Sequence, residues 1–168
     1  MKKIFIAFVL VFLISVNLTS CGLTVPRPEV KQGEFNFSVT YEFNEETKTV
    51  SGVYVCEYSG TDWALDGGSH RDWNGYIKGG EIEEMIEIGA TNEGGKVYLN
   101  LAFYPEYFMG DSITGGKEIP VPYISIVLNN GDGMSIIHEP DEVENNCGAK
   151  IVSYEYDKPI ENSFGLAK

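Results

Sequence analysis

Histidine, tryptophan and cysteine are scarce in this chain of 168 residues, which holds two, two and three of them. The cysteines, Cys21, Cys56 and Cys147, nowhere form Cys-x-x-Cys. That removes the thiolate zinc sites and dithiol redox motifs which depend on that spacing. His70 and His138 do not make a His-Glu-x-x-His pair, and neither Gly-x-Ser-x-Gly nor Gly-x-x-x-x-Gly-Lys-Ser/Thr occurs. The metalloprotease helix, the nucleophile elbow and the phosphate loop are thereby excluded. Asp62, Asp66 and Asp72 lack the Asp-x-Asp-x-Asp-Gly spacing of a calcium loop, which packs six to eight oxygens around one ion. No metal and no cofactor is expected. Basic residues are few as well: 12 Lys and Arg stand against 25 Asp and Glu, for a net charge of −13. Phosphate contacts are made by Lys and Arg, so nucleic acid is an unsuitable partner.

Long apolar runs are also lacking. Residues 4–16 are apolar apart from Ser15, but a membrane-spanning helix takes ~20 such residues. Lys2 and Lys3 precede the run and small residues close it, the layout of a secretory signal peptide. Leu18-Thr19-Ser20-Cys21, followed by Gly22, resembles the lipobox of bacterial lipoproteins: an aliphatic residue, two small residues and a cysteine. The resemblance covers residues 1–22. It implies diacylglycerol transfer to the Cys21 thiol, cleavage before that residue, and a lipid-anchored protein. The site would be the outer face of the cytoplasmic membrane, or the outer membrane in a Gram-negative host. The lipid membrane is then a partner through acylated Cys21. Loss of residues 1–20 removes two lysines and no acid, leaving 10 basic against 25 acidic residues, or −15. That balance works against adhesion to anionic lipid, so the acyl chains must hold the protein down.

Residues 21–33 read as the lipidated cysteine and an extended tether, with Pro26-Arg27-Pro28 favouring polyproline geometry. Residues 34–168 suit one domain with one core. An apolar fraction of 43% with 10 Tyr speaks for a folded chain. Residues 34–43 alternate strictly, with Phe35, Phe37, Val39, Tyr41 and Phe43 on one face. Period two predicts a half-buried strand. Residues 48–58 predict its hairpin partner, and residues 59–80 a long loop rich in Gly, Asp and Trp. Further strands are expected at 81–88, 96–104, 123–128, 134–138 and 149–157, with Asn-Gly and Asp-Gly at 130–133 turning a hairpin. Pro140 and Gly148 bracket a short helix over 140–146. Seven or so antiparallel strands predict an all-β fold, an immunoglobulin-like β-sandwich, with a small β-barrel as the alternative.

The loop at 61–80 gathers Trp63, Asp66, His70, Arg71, Asp72, Trp73 and Tyr76. Flat aromatic faces beside carboxylates and a guanidinium suit a sugar, whose C–H faces stack while polar groups fix its hydroxyls. A glycan or an envelope protein is the candidate partner. The competing reading has both tryptophans capping the core and the Asp and Gly residues shaping turns, and it is the preferred one. Trp63 is expected as the lid and Trp73 as the better surface candidate. A hydrolase would have to use His70 or His138 as base. Nothing in the spacing asks for one, so a binding role and not catalysis is expected. Cys56 and Cys147 form a disulfide outside the cytoplasm, or else Cys56 is a small buried apolar residue and Cys147 lies in a loop.

Overall fold

The computed structural model describes residues 25–63, 69–80, 83–111, 119–129 and 134–165. The expectations for residues 1–20, Cys21, Asp66 and the turn at 130–133 fall outside them, as does the Trp63 side chain.

The chain folds as an all-β sandwich of two four-stranded antiparallel sheets. The first sheet has the order β4-β3-β2-β9, from β2 (Gln32–Phe43), β3 (Glu46–Trp63), β4 (Ser69–Ile77) and β9 (Lys150–Tyr156). The second runs β5-β6-β7-β8, from β5 (Met85–Ala90), β6 (Lys96–Asn100), β7 (Tyr123–Asn129) and β8 (Met134–Ile137). Both sheets keep two unpaired edges among the described residues, so the closed barrel is not realised. Two short helices, α1 (Pro105–Phe108) and α2 (Pro140–Cys147), sit in the connections. The predicted helix is thus present and ends at Gly148 with φ 64°, the left-handed cap that glycine adopts without penalty.

The alternation in β2 does what period two requires. Phe35, Phe37, Val39, Tyr41 and Phe43 are buried, and the residues between them face outward. They meet Val97 and Leu99 of β6 and Ile124 and Ile126 of β7 in one core. Each such side chain contributes roughly 1.5–3 kcal/mol by leaving water. At the centre Tyr54 stacks on Phe103 with ring centroids 4.1 Å apart. This requires a glycine next door: a Cβ on Gly75 would lie 1.7 Å from the Tyr54 hydroxyl. The β2–β3 turn places Asn44 and Glu45 at φ 54° and 64°, the backbone of a hairpin turn matched to strand twist.

Three expectations need correction. Residues 59–63 and 69–77, expected as loop, are strand. β3 continues to Trp63, and β4 pairs with it from Tyr54↔Ile77 to Trp63↔Ser69. The pattern breaks near residue 59 because a bulge between Tyr58 and Gly60 shifts the register. The tether is not free from residue 25 on. β1 (Arg27–Pro28) pairs with β10 (Phe164–Gly165), and Gln32 and Gly33 already belong to the β2–β3 ladder. The C-terminal tail is the reason: Asn162 bonds both backbone groups of Val30, at 3.0 and 2.8 Å. Finally, β6 ends at Asn100, where Ala102 with φ 52° bends the chain, although Leu101 and Phe103 remain in the core.

Candidate functional site

β4 divides the predicted loop residues between two faces. Arg71, Trp73 and Ile77 point inward and are buried, while His70, Asp72, Asn74 and Tyr76 point outward. The residues grouped as one ligand site therefore do not converge. The expectation that Trp73 offers a surface platform is overturned. Its side chain is 7% exposed, and its ring meets Tyr58 edge-on with centroids 5.4 Å apart. It has no free face for a sugar ring to stack on.

The inward pair builds a buried polar node around Asp111, a residue the sequence reading did not single out. Arg71 Nε donates to Asp111 Oδ2 at 2.6 Å, and Arg71 Nη2 donates to Asp111 Oδ1. Trp73 Nε1 donates to Asp111 Oδ2 at 2.9 Å. Arg71 Nη1 donates to the Pro26 carbonyl at 3.1 Å, and the guanidinium carbon lies 4.0 Å from the centre of the Phe164 ring. Two-point pairing with three donors on the carboxylate is the geometry that makes a desolvated ion pair tolerable. α1 aims Asp111: Gly110 at φ 65° closes the helix, with Asp111 N–H on Glu106 O and Gly110 N–H on Tyr107 O. That is the paired-bond cap of a helix C-terminus. A side chain at Gly110 would meet Ile160 O at 2.4 Å. The node ties the segment before β1 and the tail at β10 to the core, and its role is structural. Arg71 at period two with Trp73 and Ile77 was the sequence signal for its inward direction.

The outward residues form ordinary surface pairs. His70 Nε2 lies 3.1 Å from Asp72 Oδ1, with both side chains two-fifths or more exposed. Tyr76 donates to Glu57 at 3.0 Å, and Gln32 donates to the same oxygen at 2.9 Å. Among the described residues no group of three His, Cys, Asp or Glu is placed to hold a metal ion.

The feature with the shape of a binding site lies at the other side of the sandwich. A groove of about 640 Å³ opens between the approach to β7, helix α2 and strand β9. Val121, Pro122, Ile124, Val143, Ile151 and Val152 give it apolar walls, while His138, Glu144 and Lys150 supply polar groups. Its volume is in the range of ligand clefts, which are mostly apolar with a few polar groups at their walls. Exposed apolar side chains surround it: Val121 is 51% exposed, Val152 53% and Tyr154 45%. Of the residues named in advance only His138 borders it. The local signal was weak, since 149–157 reads as any other strand. That β9 is an edge strand follows only from its place in the sheet.

Both cysteines of the domain are free thiols. The disulfide reading is thus not realised: Cys56 is fully buried in β3, and Cys147 ends α2 with its Sγ on the Val143 carbonyl at 3.3 Å. Burial, with Glu106 and Glu84 nearby, pushes the Cys56 thiol up to about 12, which leaves it unreactive. Burial likewise raises the carboxyl of Glu84, partly offset by the Tyr54 hydroxyl.

Comparison of the chain with protein-family models, with curated proteins and with solved structures finds no match in any of the three.

Proposed function

We propose that this is a lipid-anchored protein of the bacterial cell envelope whose single sandwich domain binds a ligand or partner and performs no catalysis. The groove beside β9 is the observation that carries the binding half of the reading. Val121, Val152 and Tyr154 leave an apolar cleft half exposed at a sandwich edge, which costs solubility, so its natural use is recognition. The lipobox carries the anchoring half, and the acidic chain leaves that role to the acyl groups. No helix among the described residues is long and apolar enough to cross a membrane.

Each half has its own test. Growth with labelled fatty acid should label the protein, and Cys21→Ala should abolish the label and free the protein from membranes. Retention of both in that mutant overturns the anchor. For the groove, small apolar fragments are screened by NMR against methyl-labelled protein. Shift changes should cluster at Val121, Ile124, Ile151 and Val152. A screen with no hits there removes the groove as a site.

A further inference from the structure

Strand β9 combines two features that belong to one kind of partner. It closes the first sheet and pairs only with β2 among the described residues, so its other edge has no strand beside it. In an antiparallel ladder, residues alternate between those that spend both backbone groups on the neighbour and those that turn both away. Asp157 N–H bonds to Asn36 O at 2.9 Å. Glu155 and Ser153 continue that bonded set, opposite Ser38 and Thr40. Tyr154, between them, turns its N–H and C=O outward. An exposed edge of this kind is a template for another strand, which natural sheets blunt with charge, proline, a bulge or a cover. β9 has a bulge at Val152, where the register against β2 passes from Ser153 to Ile151, and its regular edge is centred on Tyr154. Here the side chains flanking the edge are Val152 and Tyr154, both about half exposed.

The groove lies next to that edge, on the inner side of the sheet. A strand added to β9 would send every second side chain into it and the alternate ones to solvent. Acidic groups stand near this edge: Glu144 lines the groove, Asp141 and Glu142 belong to the first turn of α2 with Glu139 just before it, and Glu155, opposite Ser38, lies on the outward face of β9. Lys150, the cation at the groove, already faces Glu42 and Glu144 at 3.6 and 3.4 Å. A second copy of this chain would bring a charge of −13 and the same acidic helix to the contact, which disfavours self-pairing.

Resting on the reading of the groove as the binding site, we infer that its occupant is an extended polypeptide segment with apolar side chains at alternate positions and Lys or Arg between them, added as a fifth strand along β9. Backbone hydrogen bonds at Tyr154 would supply affinity, the groove would select the apolar side chains, and Glu155 on the outward face, in a chain of net charge −13, would favour the cations.

The test uses the full-length protein in phosphatidylcholine nanodiscs. Because β9 has seven residues, the probe is a fluorescein-labelled peptide of about eight residues, valine alternating with lysine and threonine. A second peptide carries glutamate for lysine, and empty discs serve as the blank. The lysine peptide should bind, protect the Tyr154 amide from hydrogen exchange, and weaken as salt screens its attraction to the acidic chain. The glutamate peptide should bind at least about tenfold more weakly, a difference of ~1.4 kcal/mol. Tyr154→Pro removes an outward N–H and no β2 bond, and should weaken the lysine peptide by a similar factor. Val152→Lys, which leaves the backbone intact, covers the case in which the proline variant does not fold. Equal binding of both peptides overturns the inference. So does a dimer, seen by sedimentation, that Val152→Lys dissolves. Absence of peptide binding while fragments still shift the groove methyls overturns the peptide occupant and leaves the groove reading standing.

Discussion

Two regions of this molecule reverse the usual placement of polar and apolar groups. At the Arg71–Trp73–Asp111 node charged groups sit in the core, with Arg71 1% and Asp111 0% exposed. At the β9 groove apolar groups sit in water. The first is saturated: among the described residues the carboxylate receives three side-chain donors, and the guanidinium adds a carbonyl and an aromatic ring. The second is open, with an unpaired strand edge and half-exposed Val and Tyr side chains. A buried polar group and an exposed apolar patch are both departures that need a reason. The reasons differ because one set of groups has found all its partners within the chain and the other has not. Saturation marks a structural device, and the open groove is the site proposed for a partner.

The sharpest way to break this contrast is to unbalance the node. Asp111→Ala should cost ~3–5 kcal/mol in denaturant unfolding, because it strands a buried guanidinium. The double variant Arg71→Leu with Asp111→Leu should be clearly more stable than that single variant, since no charge is then left unpaired. Trp73→Phe keeps most of the ring but removes one donor from the carboxylate, at ~1–3 kcal/mol. A single variant as mild as the double would mean that Asp111 is not the keystone the geometry describes.

Glu84 lies between the two cases, at the surface yet with enough neighbours to disfavour its charged form. Burial raises its folded-state pKa above the ordinary value of 4.5. A raised value means that its contribution to stability is fully present below pH 4.5 and is lost as pH rises through the folded-state value. Glu84→Gln stays neutral throughout. Its melting temperature should match the parent's in acid and exceed it at neutral pH. Identical pH profiles for the two proteins would show that the neighbours of Glu84 do not disfavour its charge.

The smallest stability effect belongs to the groove. Val121→Asp should move unfolding by no more than ~0.5 kcal/mol, as surface changes usually do, yet it should abolish fragment shifts at Ile124 and Ile151. A loss of several kcal/mol instead would reclassify the groove as part of the core and dissolve the contrast with the node.

Local pattern was enough to define the β2–β3 hairpin, the strands at β5 to β9, the helix between Pro140 and Gly148, and the inner face of Phe35 through Phe43. These follow from side-chain period and turn chemistry, which act over a few residues. The resemblance of residues 1–22 to a lipoprotein signal is likewise carried by local pattern. Aromatic and acidic composition, by contrast, misdirected the reading of residues 61–80, because composition carries no parity. One register step in β4 decides that Arg71 and Trp73 go in and that His70, Asp72 and Tyr76 go out. Asp111 became important only when Gly110 turned the chain toward a strand 40 residues earlier. The groove likewise depends on β9 returning to lie beside β2, which it meets from Glu42↔Lys150 to Phe37↔Tyr156, and ending the sheet there. Whether a strand is central or at an edge is a property of the sheet and not of its own residues. For that reason the proposed address rests on the sequence alone, while the groove proposed for binding exists only in the fold.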